Sequence, residues 1–333
     1  MMTGAPGLSD AFGRRISYLR LSVTDRCDLR CRYCMAETMQ FTARRDLLTF
    51  EEMTLVSERL VARGIRKIRL TGGEPLTRRG LPEFAQRLGG LLNGGGIEEL
   101  TLTTNGTRLA EHAAALTAAG VRRVNVSLDT LDPDRFRYIT RLGDLDRVLS
   151  GIAAAQAAGL RIKINMVALK GLEDDIVPML RWCGEQGHDL TLIETMPLGV
   201  VDEDRTDRYL PLDRVRRSLE DQFTLLPTTH RTGGPARYFV VEELGLRLGL
   251  ITPMTANFCD GCNRIRLTAD GQLYTCLGHE GAVDLKRAFR EGGVTGLDEA
   301  LDAALRAKPL RHEFRIDRTS PPKVARHMSV TGG

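Results

Sequence analysis

The chain has 333 residues, enough for one large or two ordinary domains with a sizeable core. Hydrophobic content of 42% with 27% charged residues excludes a disordered chain, and no apolar run approaches the length of a membrane span. Net charge is 47 − 43 = +4, which suits an anionic small molecule and gives no reason to expect nucleic acid or membrane as a partner.

Residues 1–13 are polar and contain glycine, with no hydrophobic segment of a secretory signal, so a flexible tail and a cytoplasmic location are expected. From residue 16 onward, short β-branched or apolar runs alternate with longer amphipathic ones. Strands are expected over 16–23, 65–71, 99–104, 122–128, 161–169 and 190–196. Helices are expected from the Thr49 cap to Arg63, then over 81–93, 109–119, 145–158, 174–187 and 212–221. Six strand–helix alternations imply a parallel sheet with helical crossovers. A partial or complete β/α barrel fits better than an open doubly wound sheet, and no G-x-G-x-x-G follows the first strand. The distinctive polar segments fall at strand C-terminal ends, the rim on which barrels build their sites.

After residue 222 the texture changes to short strands, expected over 225–230, 237–242, 245–251, 263–268 and 272–276, with a hairpin turn at Asp270-Gly271. Helical pieces follow near 284–291 and 297–307, and the end, 319–333, reads as irregular. The expected division is 1–13 tail, 14–222 partial barrel, 223–320 C-terminal α+β region with antiparallel character, and 321–333 tail.

Six of the seven cysteines fall in two tight groups, which in a reducing compartment points to metal rather than disulfides. Cys183, the seventh, reads as a buried inert thiol. Cys27, Cys31 and Cys34 follow the first strand with spacing C-x3-C-x2-C. Three thiolates hold one centre and leave a position open, where chemistry can happen. The competing readings are a structural zinc knot and three unrelated core thiols. Cys259, Cys262 and Cys276 form a second trio, and His279 makes C-x2-C-x13-C-x2-H, close to a zinc ribbon. Against zinc, alternation puts Arg264 and Arg266 on one strand face beside that trio, which looks like an anion site. Arg20 and Arg69 likewise interrupt apolar strands, where unpaired charge is rare.

The first octet resembles that of radical S-adenosylmethionine enzymes, including Tyr33 before the last cysteine. The ordered set is similar to the GTP 3′,8-cyclase family, which starts molybdenum cofactor biosynthesis. It comprises Ile68 to Pro75, Leu102 to Gly106, Asn125 to Asp129, Lys163, Met196 to Gly199, Pro235 to Tyr238, both trios, Asn263 to Arg266, and terminal Gly332-Gly333. The resemblance runs from about Arg14 to the last residue. It implies an α/β fold, an incomplete (β/α)6 barrel with a C-terminal α+β extension carrying a second iron–sulfur cluster. It implies two 4Fe–4S clusters, on Cys27, Cys31 and Cys34 and on Cys259, Cys262 and Cys276. S-adenosylmethionine would meet Tyr33 through its backbone, Gly73, Ser127 and Met196, with Gly72 and Gly73 admitting its methionine end. GTP would meet Arg20, Arg69, Thr103, Lys163, Arg264 and Arg266. Gly332 and Gly333 would reach into the active site and be needed for cyclisation. The implied reaction is hydrogen abstraction from ribose C3′ by a 5′-deoxyadenosyl radical and attack on guanine C8, giving (8S)-3′,8-cyclo-7,8-dihydro-GTP. A one-electron reductant such as flavodoxin or ferredoxin and a homodimer are implied partners. Met35-Ala36-Glu37 departs from relatives that carry proline after the methionine, and His279 stands as an extra candidate ligand. The rival readings are a radical peptide-modifying enzyme with an auxiliary cluster, and a zinc-stabilised, non-catalytic nucleotide-binding protein.

Overall fold

The computed structural model describes residues 7–201, 205–316 and 324–332. The first half alternates strand and helix as expected: β1 (Tyr18–Ser22), α1 (Phe50–Ala62), β2 (Lys67–Thr71), α2 (Leu81–Asn93), β3 (Glu99–Thr104), α3 (Leu109–Ala118), β4 (Arg123–Ser127), α4 (Pro133–Thr140), α5 (Leu145–Ala157), β5 (Arg161–Ala168), α6 (Ile176–Glu185) and β6 (Asp189–Glu194). Then come α7 (Arg205–Arg208), α8 (Leu212–Glu220), β7 (Leu225–Pro227), β8 (Arg237–Val241), β9 (Leu246–Ile251), β10 (Arg264–Leu267), β11 (Gln272–Tyr274), β12 (Ala282–Asp284), α9 (Leu285–Arg306) and α10 (Met328–Thr331). The Thr49 hydroxyl accepts from Glu52 N and the Glu52 carboxylate from Thr49 N, a capping box that fixes the start of α1.

One sheet runs β12-β11-β10-β1-β2-β3-β4-β5-β6-β9-β8-β7, and its ends do not meet among the described residues. The strands from β10 through β1–β6 to β9 are parallel, and antiparallel hairpins flank them on both sides. The open, curled α/β sheet is the incomplete barrel expected, with one addition. Strands after residue 222 are not a separate antiparallel layer, because β9 extends the sheet beside β6 and β10 extends it beside β1. Sequence alternation identifies these strands but not their partners, since pairing between distant segments leaves no local mark.

Alternation also divides the sheet's two faces. Leu19, Leu21, Ile68, Leu70, Leu100, Leu102, Val124 and Val126 point outward into one continuous core with the helices. The opposite face carries Tyr18, Arg20, Arg69, Thr103, Asn125, Ser127, Lys163 and Asn165, all lining one cavity. The two expected C-terminal helices form α9, broken at Gly293, whose φ of 58° and ψ of −144° are not helical. The tail read as irregular contains the short helix α10, and Pro321-Pro322 lie outside the described residues. Among the described residues no helix is long and apolar enough to cross a membrane.

Candidate active site

Both cysteine trios open on one cavity of about 300 Å³, together with Arg20, Tyr33, Arg69, Gly73, Thr103, Ser127, Lys163, Met196, Arg264 and Arg266. These residues, separated by up to 276 − 20 = 256 positions, are gathered chiefly because most sit on the inner face or near the ends of neighbouring strands.

The first trio sits in the loop after β1, folded against the Gly72-Gly73-Glu74-Pro75 loop. Gly73 N donates to Thr24 O at 2.8 Å and Glu74 N to Arg26 O at 2.7 Å. A Cβ on Gly73 would lie 2.3 Å from Arg26 O, so glycine is required there by the chain's own cysteine loop. Glu74 is fully buried and accepts from Leu76 N, Thr104 Oγ1 and Asn105 N at 3.0, 2.8 and 2.7 Å. Burial pushes its carboxyl up, to about 7, against the pull of those donors. The Tyr33 hydroxyl donates to Asp129 Oδ2 at 2.7 Å, and Asp129 Oδ1 accepts from Val167 N at 2.8 Å. This engages the Tyr33 side chain with β4 and β5, consistent with a backbone contact to ligand. Burial pushes the Cys31 thiol well up, and Cys34 and Cys27 push it further. Three thiolates in so dry a pocket call for a positive centre between them. Leu29 N and Asn105 Nδ2 lie 3.4 and 3.7 Å from Cys27 Sγ, as donors to a ligating sulfur would.

The second trio lies in the loop between β9 and β10 and just after β11. Burial pushes the Cys262 thiol up, but the charges of Arg264 and Lys308 outweigh it and bring it to about 7. Arg264 Nη2 and Lys308 Nζ stand 3.8 and 3.7 Å from Cys262 Sγ. Lys308 is 2% exposed and also donates to Arg264 O at 3.1 Å and to Thr275 O. Sequence reasoning missed it, because a lysine one residue past a helix end reads as an ordinary C-terminal cation. His279 does not line the cavity; its Nε2 donates to Arg311 O at 3.1 Å. Among the described residues no three His, Cys, Asp or Glu side chains converge on a single-ion site.

Between the trios lies a row of cations. The register places Arg266 beside Arg20 and Arg20 beside Arg69 on three adjacent strands. Arg20 Nε and Nη2, Arg69 Nε and Thr103 Oγ1 are buried and meet no hydrogen-bond partner among the described residues. Burial lowers Arg20 far below the usual arginine range, helped by Arg266 and Arg69. Burial and Arg264 bring Arg266 down to about 9. Burial, then Arg69 and Arg123, bring Lys163 down to about 7, although Lys163 Nζ donates to the Tyr238 hydroxyl at 2.5 Å. Like charges packed in a buried cleft repel one another, and an anion placed among them would relieve that repulsion.

Glu194 ties the two halves of the site: it accepts from Leu212 N, Met254 N and Thr255 N and Oγ1, fixing the end of β6 to the segment leading to Cys259. Gly332 stands against Thr71 with φ +75°, where a Cβ would lie 2.2 Å from Thr71 Cγ2, and its carbonyl accepts from Arg266 Nη1 at 2.7 Å. Gly333 lies outside the described residues.

Residues 21–183 match the Radical SAM superfamily, and residues 188–314 match the Molybdenum Cofactor Synthesis C family. The chain is 59% identical to the GTP 3′,8-cyclase of Erythrobacter litoralis, over 99% of each chain. It is 58% identical to that of Rhizobium etli, over 97% of this chain and 94% of that one. Among solved structures, Streptococcus suis SuiB bound to S-adenosylmethionine superposes with TM-score 0.62 at 16% identity, over 88% of this chain and 68% of that one. SuiB bound to its precursor peptide SuiA gives 0.63 at 15%, over 89% and 68%. These two share the fold. Two cysteine trios flanking a cation row, with full-length identity near 60%, place this chain in the GTP 3′,8-cyclase family of radical S-adenosylmethionine proteins.

Proposed function

We propose that the chain converts GTP to (8S)-3′,8-cyclo-7,8-dihydro-GTP, the first step of molybdopterin biosynthesis. The observation that carries this is the shared cavity, which both cysteine trios line together with buried arginines, among them Arg20 and Arg69 with unmet donors. A 4Fe–4S cluster held by Cys27, Cys31 and Cys34 would supply the electron that splits S-adenosylmethionine into methionine and a 5′-deoxyadenosyl radical; loss of hydrogen from ribose C3′ would let C3′ bond to guanine C8, and a second electron with a proton would quench the purine radical this leaves.

Gly73, Ser127, Met196 and the Tyr33 backbone hold S-adenosylmethionine at the first trio. Arg20, Arg69, Lys163, Arg264 and Arg266 neutralise the triphosphate, and Thr103 adds a hydroxyl. Cys259, Cys262 and Cys276 would hold a second 4Fe–4S cluster, and three protein ligands would leave it open to the purine. The position of His279 away from the cavity and the cations beside Cys262 support this over a zinc ribbon. The same cations suit a triphosphate better than a peptide. Gly332 and Gly333 bring side-chain-free backbone to the triphosphate. Residues 14–222 supply the radical half and 223–320 the second cluster, with one sheet shared between them.

A one-electron reductant such as flavodoxin or ferredoxin is needed for each turnover. The homodimer rests on the family resemblance, and seven unpaired cysteines suit a reducing cytoplasm. The test is anaerobic reconstitution, incubation with GTP, S-adenosylmethionine and a reductant, and mass analysis of products. About eight irons per chain and a cyclised GTP are expected. Zinc in a colourless protein, or 5′-deoxyadenosine formed only with a peptide, would refute the reading.

A further inference from the structure

The last described residues, 324–332, are stapled to both halves of the site. Val324 bridges Leu198, and its carbonyl accepts from Gly199 N at 2.8 Å. Gly199 has φ +67°, and a Cβ there would lie 2.6 Å from His327 Nδ1, so the crossing needs glycine. On the other side Arg326 grips the turn that follows Cys276. Its Nη1 donates to His279 O and Glu280 Oε2, each at 2.7 Å. Its Nη2 donates to Leu277 O at 2.5 Å and reaches Cys276 O at 3.4 Å, and the guanidinium lies 4.0 Å from the Tyr274 ring centroid. The side chain is 7% exposed. Immediately afterwards Met328 and Ser329 line the cavity, Ser329 Oγ is buried without a partner among the described residues, and Gly332 O meets Arg266.

A guanidinium fork that satisfies three backbone carbonyls and one carboxylate has one geometry, not a range of them. We propose that Arg326 is a positioning residue for cyclisation: it clamps the C-terminal segment to the turn after Cys276 and so sets where the Gly332 backbone meets Arg266. The proposal rests on the reading that this segment serves the GTP reaction. A residue that merely stabilised the cysteine turn would alter iron retention. A positioning residue alters how many radicals end in cyclised product.

The experiment compares cluster-loaded full chain with Arg326→Gln, Arg326→Lys and Glu280→Ala. Amide hydrogen exchange over residues 326–332 should quicken by about tenfold or more in Arg326→Gln and less in Arg326→Lys; Glu280→Ala, at a half-exposed side chain that accepts from both Arg326 Nη1 and Ala325 N, should also quicken it. Cyclised product per 5′-deoxyadenosine should fall in the same order, by about tenfold in Arg326→Gln, with iron content unchanged. Unchanged exchange in Arg326→Gln and Glu280→Ala overturns the clamp. Faster exchange with an unchanged product ratio overturns the positioning role, as does iron loss without faster exchange. If the unmodified chain makes no cyclised product from GTP, the proposed function is what fails, and the exchange comparison still decides the clamp.

Discussion

If Lys163 meets the triphosphate as proposed, GTP binding should depend on pH in a predictable direction. Its ammonium is 5% exposed and is brought down to about 7 by burial, then by Arg69 and Arg123. A triphosphate beside it reverses the balance, so binding favours the protonated form. From pH 7 to 8.5 the charged fraction in the free protein falls from about a half to about 3%, which weakens GTP by about 15-fold, or roughly 1.6 kcal/mol. The terminal phosphate is already deprotonated over this range. Titration calorimetry of cluster-loaded protein with GTP, without S-adenosylmethionine, measures this directly. Repeating it in buffers of different ionisation enthalpy should reveal about half a proton taken up per GTP at pH 7 and nearly one at pH 8.5. Lys163→Met, which has no ammonium to protonate, should bind more weakly at pH 7 and lose most of this pH dependence. Wild-type affinity that does not change between these pH values, with no proton uptake, would refute the argument. The empty fold responds with opposite sign. Between about 7 and 10.5 the unfolded chain holds a proton here that the folded one has lost, so this group adds stability as pH rises through that window.

Three further outcomes are expected. Deleting Gly332 and Gly333 should leave 5′-deoxyadenosine formation and abolish cyclised product, and mass spectrometry reporting full product would reject their role. Lys308→Met removes the buried donor beside Cys262, so chelator competition should show iron at the second trio held about 10–100-fold more weakly, with the first trio unaffected. Gly73→Ala places a methyl 2.3 Å from Arg26 O and forces the cysteine loop to move. S-adenosylmethionine binding by equilibrium dialysis should weaken by about tenfold or more, the effect of an overpacked contact of 1–3 kcal/mol, and unchanged binding would show that the loop yields freely.

The sequence made the site's chemistry legible where spacing carries it. The trios, the glycine pair and the arginines inside apolar strands all came from short-range pattern, and all line one cavity. The alternation of Leu19-Arg20-Leu21 and Ile68-Arg69-Leu70 was informative because a charge facing the wrong side of a half-buried strand has to be explained. Long-range pairing was not legible. Nothing near β9 or β10 indicates that they lie beside β6 and β1, and an Arg266–Arg20–Arg69 row exists only once that register is known. Lys308 and Arg326 escaped for the same reason: each is ordinary in its own segment and acquires a role from partners far along the chain. The short strands β7 and β12 and the helix α4 were misjudged or missed because runs of a few residues depend on their neighbours for definition.

The row of guanidinium groups sets substrate recognition against the resilience of the sheet that bears it. Without nucleotide, three neighbouring strands carry mutual repulsion through their middle, so the protein is at its most fragile when idle. At a hundredfold excess of GTP over its dissociation constant, occupancy alone adds about 2.7 kcal/mol. If GTP seats on this row as proposed, the ligand would also steady the three strands that carry it.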